Sequence, residues 1–425
     1  MKQEVEDQMK ETEPTKNKLP ERLACLDAFR GFDILLMIFV NYIAGMKGIP
    51  FILQHAKAEM DTYTITDLVF PGFLFIVGVA IPLSLSKRIL AGDSTWRILK
   101  RIAVRTASLL FLGIIMVNEE QFSAADTGLS KELWYFLAYA SVVALWNIYS
   151  KATHRRRHHF YLALRVGAAA ILVFLVVIFR GRTEAGTLTW LQPSWWGILG
   201  QIGWAYLACS LAYLLFRGNR TALMGTLSLM IAYYIGSQHR ALNFLGPTGS
   251  FIYSGFKIVI HCAIVMAGVL IGTLFTSKRD KVNHKSRALS MLLFGLGLYI
   301  SGILLRPLHG ISKIRATDSF ALVTSGVCCL AFMAFYLLMD VLKVRRWASF
   351  LQPIGKNPLL AYILPSIGDY LLSFASWLFH IHAWRIFWLY RERGSLAGML
   401  NAVVMTGIIL LITWAMTRAR IILKL

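Results

Sequence analysis

Twelve apolar runs of about 17 to 22 residues constrain this chain more than any other feature: they fall near 28–46, 66–86, 98–117, 131–150, 159–179, 196–216, 221–237, 256–277, 285–305, 318–341, 358–378 and 397–417. Each is long enough for a tilted helix to cross a bilayer. Hydrocarbon admits only backbones that satisfy their own polar groups, which for apolar runs of this length means helices. The expected architecture is an all-α polytopic membrane protein with about 12 transmembrane helices. Composition agrees, because 57% hydrophobic and 16% charged residues are outside the range of an ordinary soluble domain. Pro71 and Pro82 in the second run, and the shortness of the seventh, set the slack in that count.

The formal charge of +22 does not point to nucleic acid, since the basic residues are confined to clusters such as "KATHRRRHH", "SKRDKVNHKSR" and "KVRR" between apolar runs. They read as determinants of orientation. With the N-terminus inside, the tail, the even-numbered loops and the C-terminus carry about thirty Lys or Arg and the other loops about thirteen, so both termini are expected to be cytoplasmic. Residues 1–24 are polar, contain Pro14 and Pro20 and lack the apolar region of a signal peptide; they are expected to form a disordered cytoplasmic tail before a single membrane domain over 25–425. Cys25, Cys209, Cys262, Cys328 and Cys329 show no metal-ligand spacing and are expected as buried free thiols.

The first span runs outward from Asp27, Arg30 and Asp33, and Asn41 lies about 12 Å further along it at helical rise. His55 then falls in the first external loop of "FILQHAKAEMDTYTITDLVFPGFLF", and Asp67 opens the returning helix. This topology permits Asn41, His55 and Asp67 to converge. A neutral imidazole serves as a general base near pH 7 or as a nucleophile toward a thioester; an amide orients it or donates to an oxyanion. A lone loop histidine is equally at home as a solvated side chain, and spacing alone does not choose. Asn41 suits interhelical hydrogen bonding as well as catalysis. His261 and Arg165 fit packing or snorkelling, and Asp369 fits a cavity wall. On the inner side "ILKRIAVRTASLL" puts Lys100, Arg101 and Arg105 at the start of the third span, where they suit phosphate binding or plain positive-inside anchoring.

"RLACLDAFRGFDILLMIFVNYIAGM", the loop histidine and "TITDLVFPGFLFIVGVAIPLSLS" together resemble the heparan-alpha-glucosaminide N-acetyltransferase family, including its bacterial NagX-like and DUF5009 members. Further matching segments are "RIAVRTASLLFLGIIMVN", "WGILGQIGWAYL", "SKIRATDSFAL", "YLLMDV", "PIGKNPLLAY" and "RARIILKL". The resemblance implies a transmembrane acetyltransferase. Its co-substrate would be acetyl-CoA, bound with the nucleotide at the cytoplasmic side, and no metal would be involved. Its acceptor would be the amine of a glucosamine-type sugar or glycan on the opposite face.

By the same resemblance His55 and Asn41 take the catalytic positions, with Asp67 as the carboxylate that holds the imidazole. Lys100, Arg101, Arg105 and Asn357 become candidates for holding the CoA, and Lys313 and Arg315 for holding the glycan. Membrane lipid surrounds such a protein, nucleic acid is not a partner, and a homodimer is an allowed assembly. The sequence departs from the animal enzymes in a longer Asn41-to-His55 gap, in what looks like an extra helix pair over about 131–180 added to a ten-helix core, and in Gln201 where an arginine is expected. The animal lumenal N-terminal domain has no counterpart, and the sequon at Asn219 falls inside; these favour a bacterial inner-membrane protein. An amino-sugar secondary transporter and an O-acyltransferase acting on envelope polysaccharide remain the alternatives.

Overall fold

A computed structural model describes residues 23–149, 155–239, 256–276, 283–379 and 395–424. All but the last two residues of the expected 1–24 tail lie outside them. Each of the twelve apolar runs coincides with a helix: α1 (Ala24–Ile43), α2 (Ile65–Leu90), α3 (Thr95–Val117), α5 (Lys131–Trp146), α6 (Arg155–Ile178), α7 (Gly197–Leu215), α8 (Arg220–Gln238), α9 (Phe256–Thr273), α10 (His284–His309), α11 (Asp318–Tyr336), α13 (Pro358–Phe379) and α14 (Ser395–Arg418). Two short helices, α4 (Ala124–Thr127) and α12 (Gln352–Lys356), one two-stranded hairpin, β1 (Gly181–Arg182) with β2 (Leu188–Thr189), 3-10 turns at Phe51–Leu53 and Arg346–Ala348 and a π turn at Leu337–Val341 complete the described elements.

Among the described residues seven of these helices are long and apolar enough to cross a membrane by themselves: α2, α6, α7, α10, α11, α13 and α14. The others fall short for physical reasons. α1 carries Asp27, Arg30 and Asp33, α3 begins with Arg97, Lys100, Arg101 and Arg105, and α5 has only 16 residues. The protein is therefore an all-α integral membrane protein whose helices fall where the apolar runs do.

One core runs from α1 through α14 and is centred on α2 and α9. These two helices approach closely because Gly78 and Gly268 face each other. A Cβ on Gly78 would overlap the Val265 carbonyl, and one on Gly268 the Phe75 carbonyl, so only glycine permits this spacing. Around the pair, α10 packs on α11, α3 on α7, α5 on α6, and α1 on both α12 and α14. α6 and α10 lie at the periphery: only 17% and 22% of their apolar windows are buried, leaving Leu289, Leu293, Ile300 and Leu304 of α10 facing outward as a lipid-facing helix requires. All five cysteines are buried and unpaired, as expected.

The bundle has two chemically different ends. One carries the loop 44–64, the start of α2, the end of α10 and the start of α11; it is called the dyad end below. The other carries the start of α1, the start of α3, α12 and residues 419–424, and is called the basic end. At the basic end the segment 421–424 is pinned as an extra strand. Ile148 N donates to the Ile422 carbonyl at 3.0 Å, Lys424 N to the Trp146 carbonyl at 3.1 Å and Ile422 N to Asn147 Oδ1 at 3.0 Å.

Candidate active site

The dyad end is built from the first turn of α2. Thr64 caps the helix and Asp67 completes a reciprocal capping box, which fixes the carboxylate relative to the helix axis. Asp67 Oδ2 accepts from the backbone N–H groups of Ala56 (3.1 Å) and Thr64 (3.3 Å). The Thr64 hydroxyl has one proton and two neighbours, Asp67 Oδ2 at 3.1 Å and the Gln54 carbonyl at 2.7 Å; the shorter contact takes it. The loop leading into the helix is thus tied to it at both Gln54 and Ala56.

Asp67 Oδ1 is left for His55, whose Nδ1 lies 2.8 Å away. The carboxylate side chain is 1% exposed and the imidazole 47%, so a rigid buried anchor holds an accessible ring. An ionised carboxylate only accepts, so the geometry assigns the proton to Nδ1 and leaves the Nε2 lone pair available. The N-terminal position on α2 further favours the negative charge on Asp67. Lys313 Nζ approaches the same pair, 3.2 Å from His55 Nδ1 and 3.7 Å from Asp67 Oδ1. Two donors do not bond to each other, so the carboxylate is shared by the imidazole N–H and the lysine. Burial pulls the Lys313 ammonium below the ordinary lysine range, and Asp67 opposes that shift.

His55, Asn41, Thr66 and Lys313 open into a cavity of about 440 Å³ that extends to the basic end, where Arg30, Arg105, Lys356 and Lys424 line it. Along α2 the lining runs from Thr66 to Ala80, about 21 Å at helical rise. Its middle is apolar, with Val69, Phe70, Phe73, Val77 and Leu109. Among the described residues no carboxylate lines it, so the end opposite the dyad presents four cations to whatever enters. Arg105 stacks over the Tyr206 ring at 4.5 Å, and its buried Nε has no hydrogen-bond partner among the described residues. These features fit a long ligand with an anionic head and an apolar arm.

The residues singled out in the sequence separate into groups. His55, Asp67 and Lys313 come together, with Asp67 just behind the cavity wall, and Asn41 lines the same cavity. Of the basic trio only Arg105 reaches the cavity. Arg101 bonds to Asp93 at 3.1 Å alongside Arg88 and Arg97, and Lys100 stands exposed. Asn357 is fully buried and behind the wall: Nδ2 donates to the Ile421 carbonyl (2.8 Å) and Thr417 Oγ1 (3.2 Å), while Oδ1 accepts from Leu423 N (3.1 Å). It holds the segment that brings Leu423 and Lys424 to the cavity. Arg315 lies in a second pocket on the outer side of the same loop as Lys313. Gln201 donates to the Trp195 carbonyl at 3.2 Å, while its neighbours Leu199 and Ile202 line the cavity.

Sequence reasoning gave no site role to Arg30, Lys356, Tyr362 and Lys424. Arg30 lies in "LDAFRGFD", Lys356 and Tyr362 in "PIGKNPLLAY" and Lys424 in "RARIILKL", segments that carry the resemblance. Among the described residues no group of three or more His, Cys, Asp or Glu is placed to hold a metal ion.

Comparison with known proteins places the chain in a family. The chain is 43% identical over 100 residues to the human protein named heparan-alpha-glucosaminide N-acetyltransferase, and 38% identical over 104 residues to the protein of that name from Mus musculus. Each match covers 24% of this chain but only 14% and 15% of the length of those relatives. The model of the family described as a domain of unknown function, DUF5009, matches residues 22–275, which hold α1 to α9 and with them Asn41, His55, Asp67 and Arg105. With more than half of its length matched, the chain belongs to the DUF5009 family.

Proposed function

We propose that this protein is a transmembrane N-acetyltransferase that moves the acetyl group of cytoplasmic acetyl-CoA to the amine of a glucosamine-type sugar on the far side of a bacterial inner membrane. The observation that carries this reading is the single cavity that joins a cationic end, with no carboxylate among its described lining residues, to a His–Asp dyad, its lining running about 21 Å along α2. In this reading the bundle crosses the membrane twelve times with both termini inside, which puts the basic end in the cytoplasm and His55 outside. The names of the relatives support the choice of acyl group and acceptor.

Acetyl-CoA supplies an activated thioester on a long arm. Arg30, Arg105, Lys356 and Lys424 hold the phosphates of its head, and the apolar middle of the cavity admits the arm while excluding charge. At the far end His55 Nε2 takes the proton that the amine loses as its nitrogen bonds to the acetyl carbon. The carbon–sulfur bond breaks, and the proton leaves with the thiolate as free thiol. Asp67 stabilises the imidazolium formed on the way, and Asn41 donates to the carbonyl oxygen as it becomes an oxyanion. Protein carriage of the arm spares both the charged CoA and the polar sugar a passage through hydrocarbon.

The test is transfer of labelled acetyl from acetyl-CoA to glucosamine by purified protein in detergent, wild type beside His55→Ala. Transfer by wild type and its loss in the variant, with melting temperature retained, is the expected result. Undiminished transfer by the variant would remove His55 from the reaction. Uptake of unmodified glucosamine into vesicles without acetyl-CoA would favour a transporter instead.

A further inference from the structure

A second His–Asp pair stands at the dyad end and is used by nothing described so far. His309 is the last residue of α10 and Asp318 the first of α11; Nδ1 of the imidazole lies 3.0 Å from Oδ1 of the carboxylate, and the two side chains are 11% and 0% exposed. Ser319 N also donates to that oxygen, at 2.8 Å. As with His55, the carboxylate assigns the proton to Nδ1 and leaves Nε2 as an acceptor. That Nε2 is buried and has no hydrogen-bond partner among the described residues.

His309 lines a pocket of about 800 Å³ together with Gln238 from the end of α8, whose amide Nε2 is a buried donor likewise without a partner. An unmet acceptor and an unmet donor in one pocket are the complement of a hydroxyl group, which gives one hydrogen bond and takes another. The walls are suited to the rest of a sugar. The Tyr234 ring meets the His309 ring edge-on at 5.5 Å, Pro307 and Ile314 add apolar surface, and Arg315 is exposed at the rim. Arg306 is held by Asp61 at 2.8 Å.

The position of this pocket relates it to the reaction centre. Lys313 lines the His55 cavity and Arg315 lines this one, and two residues of chain span at most about 7 Å, so one short loop contributes to the walls of both cavities. Asp61 locks that loop to the His55 loop through Ile311 N at 2.6 Å, and Ser312 Oγ donates to the Ala58 carbonyl at 3.4 Å.

We propose that the His309–Asp318 pocket is a second saccharide subsite, which binds the hydroxyls of a neighbouring sugar unit while the amine-bearing unit sits at His55; the placement of the amine rests on the acetyltransferase reading. An oligosaccharide end is then the preferred acceptor, and free glucosamine a weaker one. His309 here is a ligand-binding residue.

Binding of glucosamine and of its β-1,4-linked dimer to the purified full chain, measured by calorimetry in detergent without acetyl-CoA, tests this. Wild type should bind the dimer at least tenfold tighter than the monomer. His309→Leu and, on a different helix, Gln238→Leu should each abolish that preference while leaving the affinity for the monomer within twofold; either variant that retains its melting temperature suffices. Equal affinity of wild type for the two sugars, no binding of the dimer, or a preference that survives in both variants would overturn the proposal. Because the readout is binding, absence of acetyl transfer would count against the enzyme and leave the subsite standing.

Discussion

Replacing Asp67 by asparagine keeps the shape of the side chain and removes its charge, and the surrounding bonds decide how the amide must turn. With its carbonyl toward His55, the amide NH2 would face the Ala56 and Thr64 N–H groups, and two buried donors would lose their acceptor at about 1–3 kcal/mol each. With the NH2 toward His55, both backbone bonds survive, while the imidazole changes tautomer and the Lys313 ammonium loses its contact with the carboxylate oxygen. The second orientation wins by several kcal/mol. It makes Nδ1 an acceptor and puts the proton on Nε2, the nitrogen that the reaction requires as a base.

The expected loss in kcat is about 10²-fold to 10⁴-fold, the range of general-base catalysis and of the same carboxylate-to-amide change in serine protease triads. That corresponds to about 3–5.5 kcal/mol of barrier. The melting temperature in detergent should fall little, since both bonds to the backbone persist. Steady-state acetyl transfer to glucosamine beside thermal unfolding measures both quantities. A variant that keeps kcat within about threefold of wild type would show that the tautomer of His55 does not matter, and would refute the dyad as the base.

Four further outcomes follow from the same structure. Arg105→Ala should raise KM for acetyl-CoA about tenfold to a hundredfold, the loss of a charge-assisted bond of about 1.5–3 kcal/mol, with KM for the sugar unchanged; equal rises in both would contradict a role confined to the CoA head. Asn357→Ala should expose residues 421–424 to carboxypeptidase and cost about 1–3 kcal/mol, because Leu423 N is left without its acceptor; unchanged digestion would show that the tail is held elsewhere. Gly78→Val should lower the melting temperature sharply, since its side chain meets the Val265 carbonyl across the α2–α9 contact; wild-type stability would mean that the helices do not approach there.

The fourth concerns pH. The Arg306 guanidinium, and after it the Ile311 N–H, hold the Asp61 carboxyl below its usual range. The folded state therefore binds this proton more weakly than the unfolded chain. The stabilisation is fully present above the ordinary value of about 3.9 and is lost as pH falls through the folded one, and for so exposed a pair it is at most about 1 kcal/mol. Arg306→Ala should flatten the fall in melting temperature below about pH 4, and an unchanged slope would dismiss the pair.

The helices were legible because each falls on an apolar run, whereas their ends became visible only in the structure, where Thr64, Ser94 and Asn219 cap them. The His55–Asp67 pair was legible in part, since both lie at one predicted end of the bundle. The cationic end was less so. Lys100, Arg101 and Arg105 look equivalent along the chain, and only the helical rotation of α3 and the nearby Asp93 separate the one that lines the cavity from the two that do not. Asn357 became a candidate ligand through the resemblance carried by "PIGKNPLLAY". Its hydrogen bonds to residues 417–423 depend on contacts some sixty positions away, which no local pattern encodes. The His309–Asp318 pair joins the end of one helix to the start of the next across a loop whose path the sequence does not specify.

Because Asp67 belongs to the first turn of the helix whose inner turns line the cavity, α2 acts as a gauge between the two ends of the site. Inserting one residue between Asp67 and Ala80 would move the dyad about 1.5 Å along the axis and turn it by about 100° relative to the cavity wall. Residues 44–54 are under no such discipline, since Asn41 takes its position from α1 and His55 from its bond to Asp67. Natural variation in length should therefore collect between Asn41 and His55 and be purged from the body of α2, so that the loop can be refitted to different acceptors while the reach from the cationic end to the reacting nitrogen stays constant.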